Sequence, residues 1–187
     1  MACRYRRKLA TVLENAPLCR HPWEISVVSL ARKGVSVIAL DFDGVLAPHG
    51  DDLPLPEMSI WIDQCVRQFG AERVFILTNG PSRARMDYFD ARFPGIRFVY
   101  GVRKKPYPDG LYEILRFTQV QPEALMLVDD RLLTGALAAC LAGAQITYVA
   151  SPYARISQRP VQEVCFMTLR GLERSMIRLV RKSQRLG

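Results

Sequence analysis

The sequence predicts an α/β protein in three layers: a Rossmann-like fold with a central parallel sheet and helices on both faces. Three observations predict it. Five short runs rich in apolar and β-branched residues (35–41, 73–77, 97–100, 124–128 and 145–150) alternate with stretches of helical periodicity. The runs are nearly free of internal charge, as strands buried on both faces require. The polar clusters each follow a run, so right-handed crossovers gather them along one edge of the sheet. A chain of 187 residues with 49% apolar content is long enough and apolar enough for one sizeable core.

Taken in order, residues 1–34 read as a basic arm (Arg4, Arg6, Arg7, Lys8) followed by a helix from Pro22 to Lys33. Pro22 sits in that helix's first turn and Gly34 at its end. The first strand, Val35 to Asp41, runs into Asp41-Phe42-Asp43-Gly44. In extended chain Asp41 and Asp43 point the same way. A loop with three prolines (Pro48, Pro54, Pro56) follows. From Glu57 to Phe69 the residues Met58, Trp61, Ile62, Cys65, Val66 and Phe69 recur at helical spacing, and Gly70 can end the helix. Strand two, Arg73 to Leu77, ends in Thr78-Asn79-Gly80, and Pro81 opens a helix to about Phe93. Strand three, Arg97 to Tyr100, leads into a basic loop with Arg103-Lys104-Lys105-Pro106, then a helix from Gly110 to Thr118. Strand four, Ala124 to Val128, ends in Asp129-Asp130. An alanine-rich helix, Leu132 to Ala142, stops at Gly143, and strand five is Gln145 to Ala150. The core of the chain is therefore 35–150, and 151–187 is a basic C-terminal segment.

Composition limits the chemistry. The five cysteines (Cys3, Cys19, Cys65, Cys140, Cys165) are scattered, odd in number and without a Cys-x-x-Cys. This argues against a disulfide framework or zinc site and for a reducing compartment. With only His21 and His49, a histidine-rich metal site has little support; His49, six residues past Asp43, is within reach of a substrate. No apolar run approaches the roughly eighteen residues of a membrane span. The net charge of +8 favours anionic partners.

Asp41 with Asp43, Thr78, Lys105, and Asp129 with Asp130 would meet at the carboxyl ends of the strands. Clustered carboxylates repel one another unless a cation neutralises them, and oxygen-only ligands in an open site suit Mg2+. Thr78 and Asn79, at the start of the following helix, would hold phosphoryl oxygens, and Lys105 would supply positive charge. One carboxylate would act as nucleophile and its neighbour as acid/base.

In Asp41-Phe42-Asp43-Gly44-Val45-Leu46, Phe75-Ile76-Leu77-Thr78-Asn79, Lys105-Pro106 and Leu127-Val128-Asp129-Asp130, the chain resembles the haloacid dehalogenase superfamily over about 35–150. The resemblance implies that Asp41 attacks phosphorus to form a phosphoaspartate. Asp43 protonates the leaving group and then activates water, while Thr78 and Lys105 hold the phosphoryl group. Mg2+ would be bound by Asp41, the backbone carbonyl of Asp43 and Asp130, with Asp129 a further candidate. More narrowly the chain is similar to the YqeG-like phosphatases, which include phosphatidylglycerophosphate phosphatases. The features are Lys105-Pro106, Asp130-Arg131-Leu132-Leu133-Thr134 and the basic C-terminal segment. It departs from that branch at Asp129, where a glycine is usual, and at Gly135, where a further acid often follows. The intervals between Asp43, Thr78 and Lys105 are too short for a substantial cap domain, so the site is expected to be open.

The segment 155–187 carries eight basic residues, Arg155, Arg159, Arg170, Arg174, Arg178, Arg181, Lys182 and Arg185, against Glu163 and Glu173. From Phe166 it reads as a basic amphipathic helix. It would either lie on an anionic membrane or pack its apolar face on the core and solvate its arginines. Nucleic-acid binding ranks lower, for want of aromatic interleaving or a recognised motif. The leading expectation is a Mg2+-dependent phosphomonoester hydrolase acting on a lipid phosphate such as phosphatidylglycerophosphate, in the cytoplasm and peripheral to a membrane. The alternatives are a soluble phosphatase acting on a nucleotide, sugar or protein phosphate, and a non-catalytic binding protein with this fold. Oligomeric state is not fixed by the sequence.

Overall fold

Residues 2–15, 21–153 and 167–178 are described by the computed structural model of the chain, with side chains from Arg4. Five parallel strands form one sheet: β1 (Val37–Leu40), β2 (Val74–Leu77), β3 (Arg97–Val99), β4 (Leu125–Asp129) and β5 (Gln145–Tyr148). Their spatial order is β3-β2-β1-β4-β5. The chain winds outward from β1 through β2 to β3, then returns to place β4 on the other side of β1. In register, β1 pairs Leu40 with Ile76 of β2 and with Val128 of β4. The order therefore reverses beside β1, and the crevice at the carboxyl ends of β1 and β4 is where such sheets take ligands.

The two-residue alternation of β1 divides the core. Ile38 and Leu40 face α2 (Val27–Arg32), α3 (Pro56–Phe69) and α4 (Arg83–Arg92), through Leu30, Met58, Trp61, Ile62 and Phe89. Val37 and Ala39 face α5 (Asp109–Thr118) and α6 (Leu137–Ala142), where Ala138, Ala139 and Ala142 let the helix approach the sheet closely. The basic arm is helix α1 (Ala2–Asn15), whose Leu9 is buried in a third cluster with Leu137, Cys140 and Ile177. Cys65 and Cys140 are buried and unbridged. Cys3, Cys19 and Cys165 lie outside the residues whose side chains are described.

Three elements differ from expectation. The helix expected over Pro22–Lys33 is broken: a 3-10 turn, Pro22–Glu24, precedes α2, because the Ser26 hydroxyl accepts the Ser29 amide and starts a new helix there. The helix expected to start at Pro81 starts at Arg83, with Ser82 as its cap. The run expected as one helix from Leu132 opens as a wide π turn, Leu132–Ala136, with the Ala136 amide bonded to the Arg131 carbonyl.

The C-terminal helix, described over 167–178, inverts the expected polarity. Arg170, Glu173 and Ile177 are buried, while Met167, Leu169, Leu172 and Met176 are exposed, Leu172 by 55% and Met176 by 58%. The reason is local. The inward face meets the polar start of the helix after β4 through Arg170 and Glu173, and the third apolar cluster only through Ile177. Arg155, Arg159, Glu163, Arg181, Lys182 and Arg185 lie outside the described residues. Among the described residues no helix is long and apolar enough to cross a membrane.

Candidate active site

The Asp41 amide donates to the Val128 carbonyl at 2.9 Å, so the β1–β4 ladder continues to the first aspartate. The chain then turns, and the Phe42 amide donates to Asp41 Oδ1 at 3.0 Å. The two aspartates diverge at their tips. The Asp43 carboxylate accepts both Nη groups of Arg85, at 2.8 and 3.2 Å, and the Gly50 amide at 3.2 Å. Asp41 instead joins Asp129 and Asp130, with one oxygen from each of the three within 4.8 Å of the others.

Lys105, from the loop after β3, reaches into this group. Its Nζ lies 3.0 Å from Asp41 Oδ1 and 2.5 Å from Asp129 Oδ2. The Arg131 amide donates to the other oxygen of Asp129 at 2.9 Å. A side-chain carbon at Gly135 would coincide with the Asp129 carboxylate. Gly135 therefore leaves open the space that the Asp129 carboxylate occupies.

The electrostatics follow from burial. Burial pushes Asp41 up to about 8, with Asp129 and Asp130 adding to the rise against the pull of Lys105. Burial likewise raises Asp130 to about 6 against Arg170, whose guanidinium contacts it. Burial works against the Lys105 charge, but Asp129 and Asp41 outweigh it and hold the ammonium above its usual range. Three acids around one lysine carry surplus negative charge when ionised. Asp130 Oδ2 is buried without a hydrogen bond of good geometry. A hard divalent cation suits this donor set. Asp41, Asp129 and Asp130 are the residues that could hold it, and the Asp43 carboxylate, turned to Arg85, lies outside the cluster.

The pocket above has a volume of about 290 Å³ and is lined by Asp41, Asp43, Thr78, Asn79, Lys105 and Asp130, with His49, Gly80, Arg131 and Thr134. Thr78 is buried and Asn79 exposed. His21 is elsewhere, stacked on Trp23 at 4.2 Å. A larger hollow, about 510 Å³, opens between α1, α2 and β5 but contains none of the clustered acids. No separate domain lies between Asp43 and Thr78: the chain there is a loop and α3, both packed on the sheet.

Three functional candidates are invisible in the motifs. Arg85 grips Asp43, donates to the Asp51 carbonyl at 2.8 and 3.1 Å, and lies 3.9 Å over the Phe42 ring. Its only sequence signal is that it precedes buried Phe89 by one helical turn, whereas Arg83, on another face, has a side chain 84% exposed. Arg170 and Glu173 come from the C-terminal helix. Glu173 accepts Arg131 Nε at 3.0 Å and the Leu132 and Leu133 amides at 3.0 and 3.4 Å, satisfying donors at the start of the helix after β4. Its signal is that it is the one acid among the arginines of 167–178.

A family model described as mitochondrial PGP phosphatase matches residues 13–153. No curated protein matches the sequence. Among solved structures, an uncharacterized protein from Corynebacterium glutamicum is 20% identical, covering 74% of this chain and 96% of its own, with a TM-score of 0.48. CbbY from Rhodobacter sphaeroides, solved with phosphate, is 18% identical over 60% of this chain and 84% of its own, at 0.42. A haloacid dehalogenase family hydrolase from Deinococcus radiodurans is 16% identical over 61% and 80%, at 0.39.

Proposed function

Starting from the fact that this chain belongs to the mitochondrial PGP phosphatase family and is a phosphatase of the haloacid dehalogenase type, we propose that it hydrolyses a lipid phosphomonoester through a covalent phosphoaspartate on Asp41. Phosphatidylglycerophosphate, our reading of the PGP in the family's description, is the substrate. The observation that carries this is the setting of Asp41: its Oδ1 is held by Lys105 and the Phe42 amide, which leaves Oδ2 for attack at the floor of the pocket.

The chain's residues divide the work. Asp41 Oδ2 forms the bond to phosphorus as the bond to the leaving oxygen breaks. Asp43, once it has taken a proton from solvent, gives that proton to the leaving oxygen, then takes one from the water that splits the phosphoaspartate and frees inorganic phosphate. Arg85 orients Asp43 through its two-point grip. Thr78, Asn79 and Lys105 bind the phosphoryl oxygens. Mg2+ held by Asp41, Asp129 and Asp130, with the Asp43 carbonyl, would supply charge neutralisation and polarise the phosphoryl group.

Two features support a lipid at a membrane surface. Among the described residues no separate domain lies between Asp43 and Thr78, so a headgroup could enter the pocket while its acyl chains stay outside. The exposed Met167, Leu169, Leu172 and Met176, beside arginines, suit an anionic bilayer. The family's description is of a mitochondrial enzyme; cell fractionation would decide between a mitochondrial membrane surface and the cytoplasm that the composition suggests.

The test is Mg2+-dependent phosphate release from phosphatidylglycerophosphate in mixed micelles, beside an aryl phosphate, for the natural protein and Asp41→Asn. Turnover of the lipid that disappears in the variant supports the reading. Turnover of the aryl phosphate alone keeps the chemistry and discards the lipid, favouring a soluble phosphatase. No metal-dependent turnover of either favours a binding protein.

A further inference from the structure

Each acid of the cluster has one cation. Lys105 is shared by Asp41 and Asp129, and the cation at Asp130 is Arg170. Arg170 lies beyond the family match, on the C-terminal helix. It is buried and does not line the pocket; it meets Asp130 from the side where Gly44 passes. A side-chain carbon at Gly44 would lie 2.6 Å from Asp130 Oδ2 and 3.0 Å from Arg170 Nη2, so the glycine leaves the space in which the pair meets.

The two buried charges of this helix are held very differently. Glu173 is satisfied by Arg131 and two amides. Among the described residues, Arg170 meets Asp130 through Nη2, and its Nε and Nη1 are buried with no hydrogen-bond partner there. Unsatisfied buried donors cost stability. Arg170 is therefore a poor fastener, and what it supplies is charge at Asp130. A cation bound at Asp130 would draw on the same carboxylate and repel the guanidinium.

We propose that Arg170 is the resident counter-cation of the metal site: it neutralises Asp130 when no divalent ion is bound, weakens the ion's binding, and is loosened together with the C-terminal helix when the ion arrives. This rests on the reading that Mg2+ binds at Asp41 and Asp130. Because coupling between two sites is reciprocal, removing Arg170 must tighten the ion by as much as the ion weakens Arg170.

Calorimetric titration of the full chain with Mg2+ tests it. Arg170→Met should bind Mg2+ about tenfold tighter or more, and Arg170→Lys, which keeps the charge, within about threefold of the natural protein. Unchanged or weaker binding in Arg170→Met overturns the proposal. A second measurement needs no variant: amide hydrogen exchange across 167–178 in the natural protein should speed up on adding Mg2+, and unchanged or slower exchange overturns it. If the natural protein binds no Mg2+ at all, the metal reading itself falls, which is a separate result from a bound ion that ignores Arg170.

Discussion

Helix α3 lies on the sheet through Met58, Trp61, Ile62 and Cys65, whereas the C-terminal helix lies on the corner after β4 through Arg170, Glu173 and Ile177. One buries apolar surface and the other buries charge. Apolar burial is non-directional and does not depend on the ionisation of a carboxylate or on a bound metal. Buried ion pairs are directional and cost desolvation, so they contribute position more than stability. The comparison teaches that α3 holds the fold, while the C-terminal helix is held by the site and answers to what happens there.

The sharpest break is expected on the α3 side. Trp61 is fully buried and its indole N–H donates to the Ile25 carbonyl at 3.0 Å. Trp61→Ala should cost about 3–5 kcal/mol in urea unfolding. A loss below about 1 kcal/mol would mean that α3 is not the fastener it looks. On the other helix, Glu173→Gln keeps the shape but removes the charge that Arg131 and two amides share. It should cost about 1–3 kcal/mol by the same measurement. A loss equal to that of Trp61→Ala would dissolve the distinction between the helices.

A smaller effect separates site from fold by pH. Asp41 and Asp130 are raised in the folded protein, so between about pH 4 and pH 8 the folded state binds more protons than the unfolded one. Stability from these groups is present below that window and is lost as pH rises through it. The metal-free melting temperature should fall across this range, and saturating Mg2+, which favours the ionised carboxylates, should flatten the slope. A slope that Mg2+ leaves untouched would place the titrating groups elsewhere. The least effect on folding is expected at Leu172. Leu172→Ser should change stability by less than about 0.5 kcal/mol, yet reduce sedimentation with anionic vesicles. Unchanged sedimentation removes the exposed apolar face as a membrane contact.

The same division explains what the sequence revealed. Buried parallel strands are short uncharged runs, so all five could be placed, and with them Asp41, Thr78, Lys105, Asp129 and Asp130, each just past or in the loop after a strand. The structure gathers those residues at one pocket because parallel topology brings every strand's carboxyl end to the same edge. Arg85, Arg170 and Glu173 could not be found that way. A charged residue on a helix reads as solvated until its partner is known, and these partners lie 40 to 42 residues away along the chain. Asp43 was half legible: its position followed from strand periodicity, but its grip by Arg85 follows from how α4 docks. The polarity of the C-terminal helix was misread for the same reason, since its inward face meets backbone amides and carboxylates.

The contact between Asp129 and Gly135 bears on which changes the chain accepts as well as on its chemistry. A side chain at 135 and a carboxylate at 129 claim the same space, so the two positions cannot both be filled. The order of substitution therefore matters: Gly135→Asp alone should be among the least tolerated changes in the site, and tolerated once Asp129 has become glycine. Which descendants are open to this protein is thus decided by the order of two steps, even where the end points work equally well.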